Sequence, residues 1–164
     1  MKKVIVIGCP GSGKSTFSRA LHEVTRLPLF YLDMMNWNED KTTVSKEVFK
    51  RRLQETLAKE DWIIDGNYGS TLETRMQGCD TIFFLDYSTE ICLNGIRERK
   101  RKPRPDMPWI ELENEEDEEF IAFVKSYNVV SRPKVIALLN RFCDKDIVIF
   151  KSRHEANEYL EKLM

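Results

Sequence analysis

The run Val4-Ile5-Val6-Ile7, ending in Gly8-Cys9-Pro10-Gly11-Ser12-Gly13-Lys14-Ser15, constrains the fold more than any other stretch of the chain. Four β-branched residues lead straight into a glycine-rich turn. From Ser15 to Thr25 the spacing becomes helical, with Phe17, Leu21 and Val24 on one face. A strand that is apolar at every position is buried on both faces. That requires a parallel sheet with helices above and below it.

The turn satisfies G-x-x-x-x-G-K-[ST] in the strand–loop–helix setting that gives the pattern meaning. Gly8, Gly11 and Gly13 permit backbone conformations in which successive N–H groups point inward at an oxyanion. The helix that follows adds a partial positive charge at its N-terminus. The loop from Gly8 to Thr16 therefore reads as a cradle for a nucleoside triphosphate, with ATP and magnesium as the expected pair. Gly8, Pro10, Gly11, Ser12 and Gly13 contribute backbone; the side chains of Cys9 and Pro10 carry no chemistry. Lys14 supplies an ammonium for the β- and γ-phosphates, Ser15 a hydroxyl ligand for magnesium, and Thr16 a hydrogen bond to the α-phosphate.

The rest of the chain repeats the alternation of strand and helix. Strands are expected at 29–32, 62–64, 81–85 and 147–150, with helices at 45–59, around 70–76, at 90–101, 115–128, 133–142 and 154–163. The 115–128 and 133–142 segments are two helices or one broken at Arg132-Pro133. Five strands joined by right-handed crossovers make a three-layer α/β domain. The 164 residues suit one such domain. The one irregular feature is a basic run passing into an acidic one, an insertion at about 97–132.

The formal net charge of −1 leaves no global positive field for nucleic acid or an anionic membrane. No stretch approaches the roughly 18 apolar residues of a membrane span. Cys9, Cys79, Cys92 and Cys143 form no C-x-x-C pair, so reduced thiols in a cytoplasmic protein are expected. The expected assembly is a monomer or homodimer. A guanine-reading N-K-x-D is absent, since Asn140-Arg141-Phe142-Cys143 lacks the aspartate. A small kinase is the remaining branch.

The segments GCPGSGKSTFSRAL, LFYLD, WIIDGNYGSTLETR, TIFFLD, RPDM, SRPK and IVIFKSRHEANEYL together resemble the adenylate-kinase-like DNA topology-modulation (FlaR-type) proteins. The resemblance spans nearly the whole chain. It implies a P-loop NTPase domain of nucleotide-kinase type with sheet order 2-3-1-4-5 and a lid, acting as a small-molecule or nucleotide kinase.

The acceptor would sit across the crevice at the carboxyl ends of the strands. Asp33 either faces that acceptor or caps a turn. Asp65, before Gly66, resembles the aspartate that partners the magnesium-binding serine. Arg75 resembles an arginine that clamps an acceptor phosphate; its plain alternative is a solvated helix charge. Asn67 and Tyr68 are candidate pocket residues. Asp86 is expected to cap the next helix.

Two positions depart from the adenylate-kinase pattern. Asn36 stands where an acceptor-gripping arginine belongs, and Gly95 where an arginine stacks on adenine. Base contacts would then fall to Arg99 or to Arg153 in the loop after the last strand. Arg97, Arg99, Lys100, Arg101, Lys102 and Arg104 form either a solvated helix end or a lid. As a lid they would bring Arg99 and Arg104 onto the transferring phosphoryl group, with Arg132 arriving from the far side. Glu111 to Glu119 reads as the acidic first turn of a helix. Trp37 and Trp109 either cover the acceptor or pack the lid. The rival function is a nucleotide-dependent regulatory or DNA-topology-linked binding protein with slow ATPase activity.

Overall fold

The computed structural model describes residues 1–112 and 117–164. Its elements run β1 Lys3–Gly8, α1 Lys14–Thr25, β2 Leu29–Tyr31, α2 Leu32–Asn36, α3 Lys46–Leu57, β3 Trp62–Asp65 and α4 Gly69–Gly78. They continue with β4 Thr81–Leu85, α5 Thr89–Arg99, α6 Glu118–Val130, α7 Arg132–Arg141, β5 Asp146–Phe150 and α8 Arg153–Leu163. The five strands form one parallel sheet in the order β2-β3-β1-β4-β5. This is the P-loop kinase architecture expected from the sequence.

The apolar strands split their side chains between two cores. Val4 and Val6 of β1 point to one face with Ile63, Phe83 and Leu85, where α1, α5, α6 and α8 deliver Phe17, Leu21, Cys92, Ile96, Val124 and Leu160. Ile5 and Ile7 point to the other with Ile64, Ile82 and Phe84, where α2, α3, α4 and α7 deliver Leu32, Met35, Leu53, Leu72, Met76 and Leu139. Burial on both faces is what the period-two chain geometry demands of a central parallel strand.

Local signals explain most helix ends. Ser45, Ser88, Asp117 and Ser152 each accept a backbone N–H in the first turn of α3, α5, α6 and α8. Pro133 sits at the start of α7, so the 118–141 region is two helices. Asp86 therefore does not cap α5; Ser88 does. The sequence reading also missed α2. Leu32 and Met35, three apart, bury on the same core face and turn the chain helical where a strand was expected to continue.

Within the 97–132 stretch, α5 runs to Arg99 and α6 starts at Glu118 and buries Val124 and Tyr127 in the core; among the described residues between them, 100–112 and 117 lie outside regular structure. Among the described residues no helix is long and apolar enough to cross a membrane.

Candidate active site

One cavity of about 1130 Å³ runs from the glycine-rich loop along the carboxyl ends of the central strands and under residues 100–112. Its size is at the upper end for a small-molecule site. The loop residues Pro10 to Thr16 line it, as do Asp33, Asp65, Asn67 and Tyr68 from the strand ends and Arg99, Arg104, Asp106 and Trp109 from the lid side.

Gly13 adopts φ 95°, a left-handed turn that releases the chain into α1. Gly11 and Gly95 explain each other. A Cβ on Gly95 would lie 1.9 Å from the Gly11 carbonyl oxygen, and one on Gly11 would lie 2.0 Å from the Cys92 carbonyl oxygen. Helix α5 thus packs its backbone directly on the phosphate loop, and a side chain at 95 would displace that loop. The expected arginine at Gly95 is excluded by packing.

Lys14 donates to the Cys9 carbonyl at 3.3 Å, folded over the mouth of the loop. Ser12 Oγ is buried with no hydrogen-bond partner among the described residues. A buried hydroxyl beside a ring of inward N–H groups suits an oxyanion.

Ser15 Oγ donates to Asp65 Oδ2 at 2.5 Å. Asp65 closes β3, is 4% exposed, and keeps Oδ1 buried without a hydrogen-bond partner among the described residues. Burial pushes its pKa up to about 6, against the pull of Lys14 and the Ser15 hydroxyl. A desolvated carboxylate with an oxygen to spare, next to a hydroxyl, fits a divalent cation. Among the described residues no three His, Cys, Asp or Glu side chains are grouped to hold a metal. Magnesium bound chiefly through phosphate oxygens needs no such group.

Asp106 is a residue the sequence reading passed over. It lies in the R-P-D-M segment, is 6% exposed, and its Oδ2 stands 3.2 Å from Ser15 Oγ. The segment after α5 thus brings a carboxylate, as well as arginines, to the foot of α1. The only sequence signal was a lone aspartate between Pro105 and Met107 in a basic stretch.

Asp33 opens α2 on the cavity wall. Tyr68 donates its hydroxyl to Asp33 Oδ1 at 2.7 Å, and Asn36 Nδ2 donates to the Tyr68 oxygen at 3.2 Å. Burial raises the Asp33 pKa despite the Tyr68 bond and Lys14, and Asp106 adds to the rise. Asn67 Oδ1 accepts from Gly8 N–H at 3.2 Å, tying the 66–68 turn to the phosphate loop.

Arg75 is not an acceptor clamp. It is fully buried, lies outside the cavity lining, and directs its guanidinium at the 66–68 turn. It donates to the carbonyls of Gly66 (3.0 Å), Asn67 and Tyr68 (3.3 Å), and to the Thr71 hydroxyl (3.1 Å). Its fork serves the Gly66 and Asn67 carbonyls and adds to the bonds that the Tyr68 carbonyl accepts from Thr71. Tyr68, at φ 30°, is held in a strained turn by those bonds.

Arg132 also stands apart. Its guanidinium makes two bonds to Asp86, at 2.7 and 2.8 Å, and Lys151 reaches the same carboxylate. Arg132 is not among the cavity-lining residues. Asp86 is thus an ion-pair anchor joining β4, α7 and the loop after β5.

Arg99 does line the cavity, but Glu111 grips it with two bonds at 2.8 and 3.0 Å, over the Phe120 ring. Glu111 is therefore not part of a helix's acidic first turn; α6 begins at Glu118, and residues 113–116 of that expectation lie outside the described residues. Arg104 faces Asp106 at 3.8 Å and Glu111 at 3.6 Å. Arg153 lines the cavity with its NH2 about 3.1 Å from where a Gly95 Cβ would stand. Of the two base-contact candidates, Arg153 is the one found beside Gly95. Trp37 and Trp109 meet edge to face, centroids 5.3 Å apart, and both line the cavity.

No protein-family model matches the chain, and no curated protein matches it. Solved structures do. A shikimate kinase from Bacteroides thetaiotaomicron superposes with TM-score 0.57 at 18% identity, over 98% of this chain and 94% of that one. A shikimate kinase from Acinetobacter baumannii, in complex with shikimate, superposes with TM-score 0.66 at 15% identity, over 99% and 90%. At such identities the likeness establishes the fold: this chain has the five-stranded P-loop kinase fold of those enzymes.

Proposed function

We propose that this chain is an ATP-dependent phosphotransferase that moves the γ-phosphoryl group of Mg-ATP to a hydroxyl of a small acceptor. The observation that carries the reading is that the glycine-rich loop and the half-buried Asp33 line one cavity, with Lys14 near enough to pull on the Asp33 carboxylate. A protein that only senses a nucleotide has no use for a second, acid-lined compartment.

The phosphate loop would hold the triphosphate through its backbone N–H groups and Lys14. Ser15 and Asp65, with Asp106 beside them, would hold magnesium, which would supply neutralising charge for the phosphates. Asp33 orients the acceptor hydroxyl and takes its proton. The raised pKa makes it a better base than a solvated aspartate, and Tyr68 fixes its orientation. The acceptor oxygen forms a bond to the γ-phosphorus as the bond to the β,γ-bridging oxygen breaks, and ADP leaves. Arg104 and Arg99 lie within the lid to meet the equatorial oxygens once Glu111 yields them. Closure of residues 100–112 would exclude water that would otherwise take the phosphoryl group. The segment resemblance to topology-modulation proteins fits this reading as a family of such kinases.

The test is ADP release from Mg-ATP against a panel of acceptors, with Lys14→Ala as control. Turnover of about 1–100 per second with one class of acceptor is expected. Asp33→Asn should lower kcat by about 10²–10⁴-fold. ADP release that stays at the water-only background with every acceptor would overturn the reading in favour of a nucleotide-dependent binding protein.

A further inference from the structure

The cavity holds charge of both signs. Lys14, Lys41, Lys100 and Lys102 line it together with Arg99 and Arg104, so its lining as a whole favours neither sign of ligand. At the foot of α1 the balance is local. Ser15 Oγ stands 2.5 Å from Asp65 Oδ2 and 3.2 Å from Asp106 Oδ2. A hydroxyl has one proton to donate, so it serves only one of those carboxylates at a time. Asp65 and Asp106 are 4% and 6% exposed, and Asp65 Oδ1 is buried with no hydrogen-bond partner among the described residues.

Neighbouring cations meet part of this negative charge. Lys14 pulls on Asp65 but gives its hydrogen bond to the Cys9 carbonyl at 3.3 Å. Arg104 lies 3.8 Å from Asp106 and is shared with Glu111 at 3.6 Å. Two buried carboxylates converging on one hydroxyl, with a further buried oxygen unpartnered, suit a hard cation. Magnesium takes one or two carboxylates beside phosphate oxygens, which is what converges here.

The two carboxylates reach this point by different routes. Asp65 ends β3 and is fixed by the sheet, in register with Val6 of β1. Asp106 belongs to residues 100–112, outside regular structure. Two features tie that segment into one piece. Arg101 N–H donates to the Glu111 carbonyl at 2.6 Å, joining its ends, and Pro103 and Pro105 fix φ on both sides of Arg104. Trp109, three residues past Asp106, meets Trp37 at the end of α2. The seat of Asp106 on Ser15 and the contact between the two indoles therefore share one short stretch of chain.

Resting on the Mg-ATP site of the kinase reading above, we infer that Asp106 makes the seating of residues 100–112 over the phosphate loop depend on a divalent cation. With the cation present, Asp106 and Asp65 hold it together and the segment is drawn onto α1. With a bare triphosphate in the loop, Asp106 faces phosphate oxygens of like charge and is driven off. Only the metal-loaded nucleotide is then shielded from water. Cation and nucleotide are coupled through this one side chain.

The experiment titrates β,γ-imido-ATP into the wild-type protein and Asp106→Asn by calorimetry, in magnesium and in EDTA. The factor by which magnesium tightens the analogue is expected to be about tenfold or more smaller in the variant, which loses affinity with the metal and recovers some without it. Tryptophan emission gives a second reading that needs no variant, since Trp62 is fully buried while Trp37 and Trp109 are half-buried at the moving contact. In the wild type the analogue in EDTA should shift emission to the red, and magnesium should reverse the shift. That reversal should be lost in Asp106→Asn. An equal magnesium factor in both proteins would overturn the inference, even if the variant binds more weakly throughout, because a merely structural aspartate acts on both conditions alike. Wild-type emission indifferent to the metal would also overturn it. Neither reading needs an acceptor: coupling without turnover of any acceptor would overturn the kinase and leave this inference standing, and turnover without coupling would do the reverse.

Discussion

Replacing Asp65 with asparagine separates the cost of a buried carboxylate from the metal-binding use proposed for it. Asp65 is buried, its pKa is lifted from an ordinary 3.8 to about 6, and burial is the main cause. The folded chain therefore holds this proton to a higher pH than the unfolded chain does. Stability from that source is present below about pH 4 and is lost as the pH rises to about 6. At about 1.4 kcal/mol per pKa unit, the two-unit rise amounts to about 3 kcal/mol. Asparagine cannot ionise, and it can still accept the Ser15 hydroxyl. It also places an amide where Oδ1 is buried without a partner, a cost that does not vary with pH.

The informative quantity is thus the pH dependence of the difference between the two proteins. Urea unfolding of wild type and Asp65→Asn should be compared in steps from pH 3 to pH 8. The variant should gain about 3 kcal/mol relative to wild type across that range, mostly between pH 4 and 6, whatever the offset between them. Mg-ATP stabilisation should fall sharply in the variant over the same conditions. A difference that is flat with pH would refute the claim that the fold holds a desolvated carboxylate beside Ser15.

Gly95→Ala forces a Cβ into the Gly11 carbonyl. It should cost about 1–3 kcal/mol in thermal or urea unfolding and weaken ATP at least tenfold by calorimetry, and wild-type affinity would refute the packing account. Arg75→Met removes a donor from the Gly66 and Asn67 carbonyls, at about 1–3 kcal/mol for each left buried and unpaired, so unfolding free energy should fall by about 2–6 kcal/mol. A selective loss of acceptor binding at unchanged stability would restore the clamp. Asp106→Asn removes a like charge that helps raise the Asp33 pKa. The acidic limb of the kcat/KM profile should move to lower pH, and a limb that stays put or moves up would show that Asp33 is not the base.

The phosphate loop, the parallel sheet and the order of its elements were legible because their causes are local and periodic. Val4 to Ile7 is apolar at every step, the glycines recur at fixed intervals, and Ser45, Ser88 and Ser152 start helices by bonding residues three places on. Asp65 was legible for a related reason, since a residue that ends a central strand must emerge beside the loop of its neighbour; here Val6 pairs with Asp65.

The arginines were not legible. A guanidinium is long and flexible, and any carboxylate or carbonyl within reach can claim it. Arg75 meets the 66–68 turn, Arg132 meets Asp86 from 46 residues away, and Arg99 meets Glu111 across the lid. None of these partners has a fixed spacing to its arginine in the chain. The same holds for Gly95, whose neighbour Gly11 lies on a different element, and for Asp106, which the lid folds back onto Ser15. The sequence by itself determined the loop proposed to hold a triphosphate, because that loop is built from consecutive backbone. Only the tertiary structure decided what surrounds the acceptor, because that end is assembled from side chains whose partners are chosen by packing.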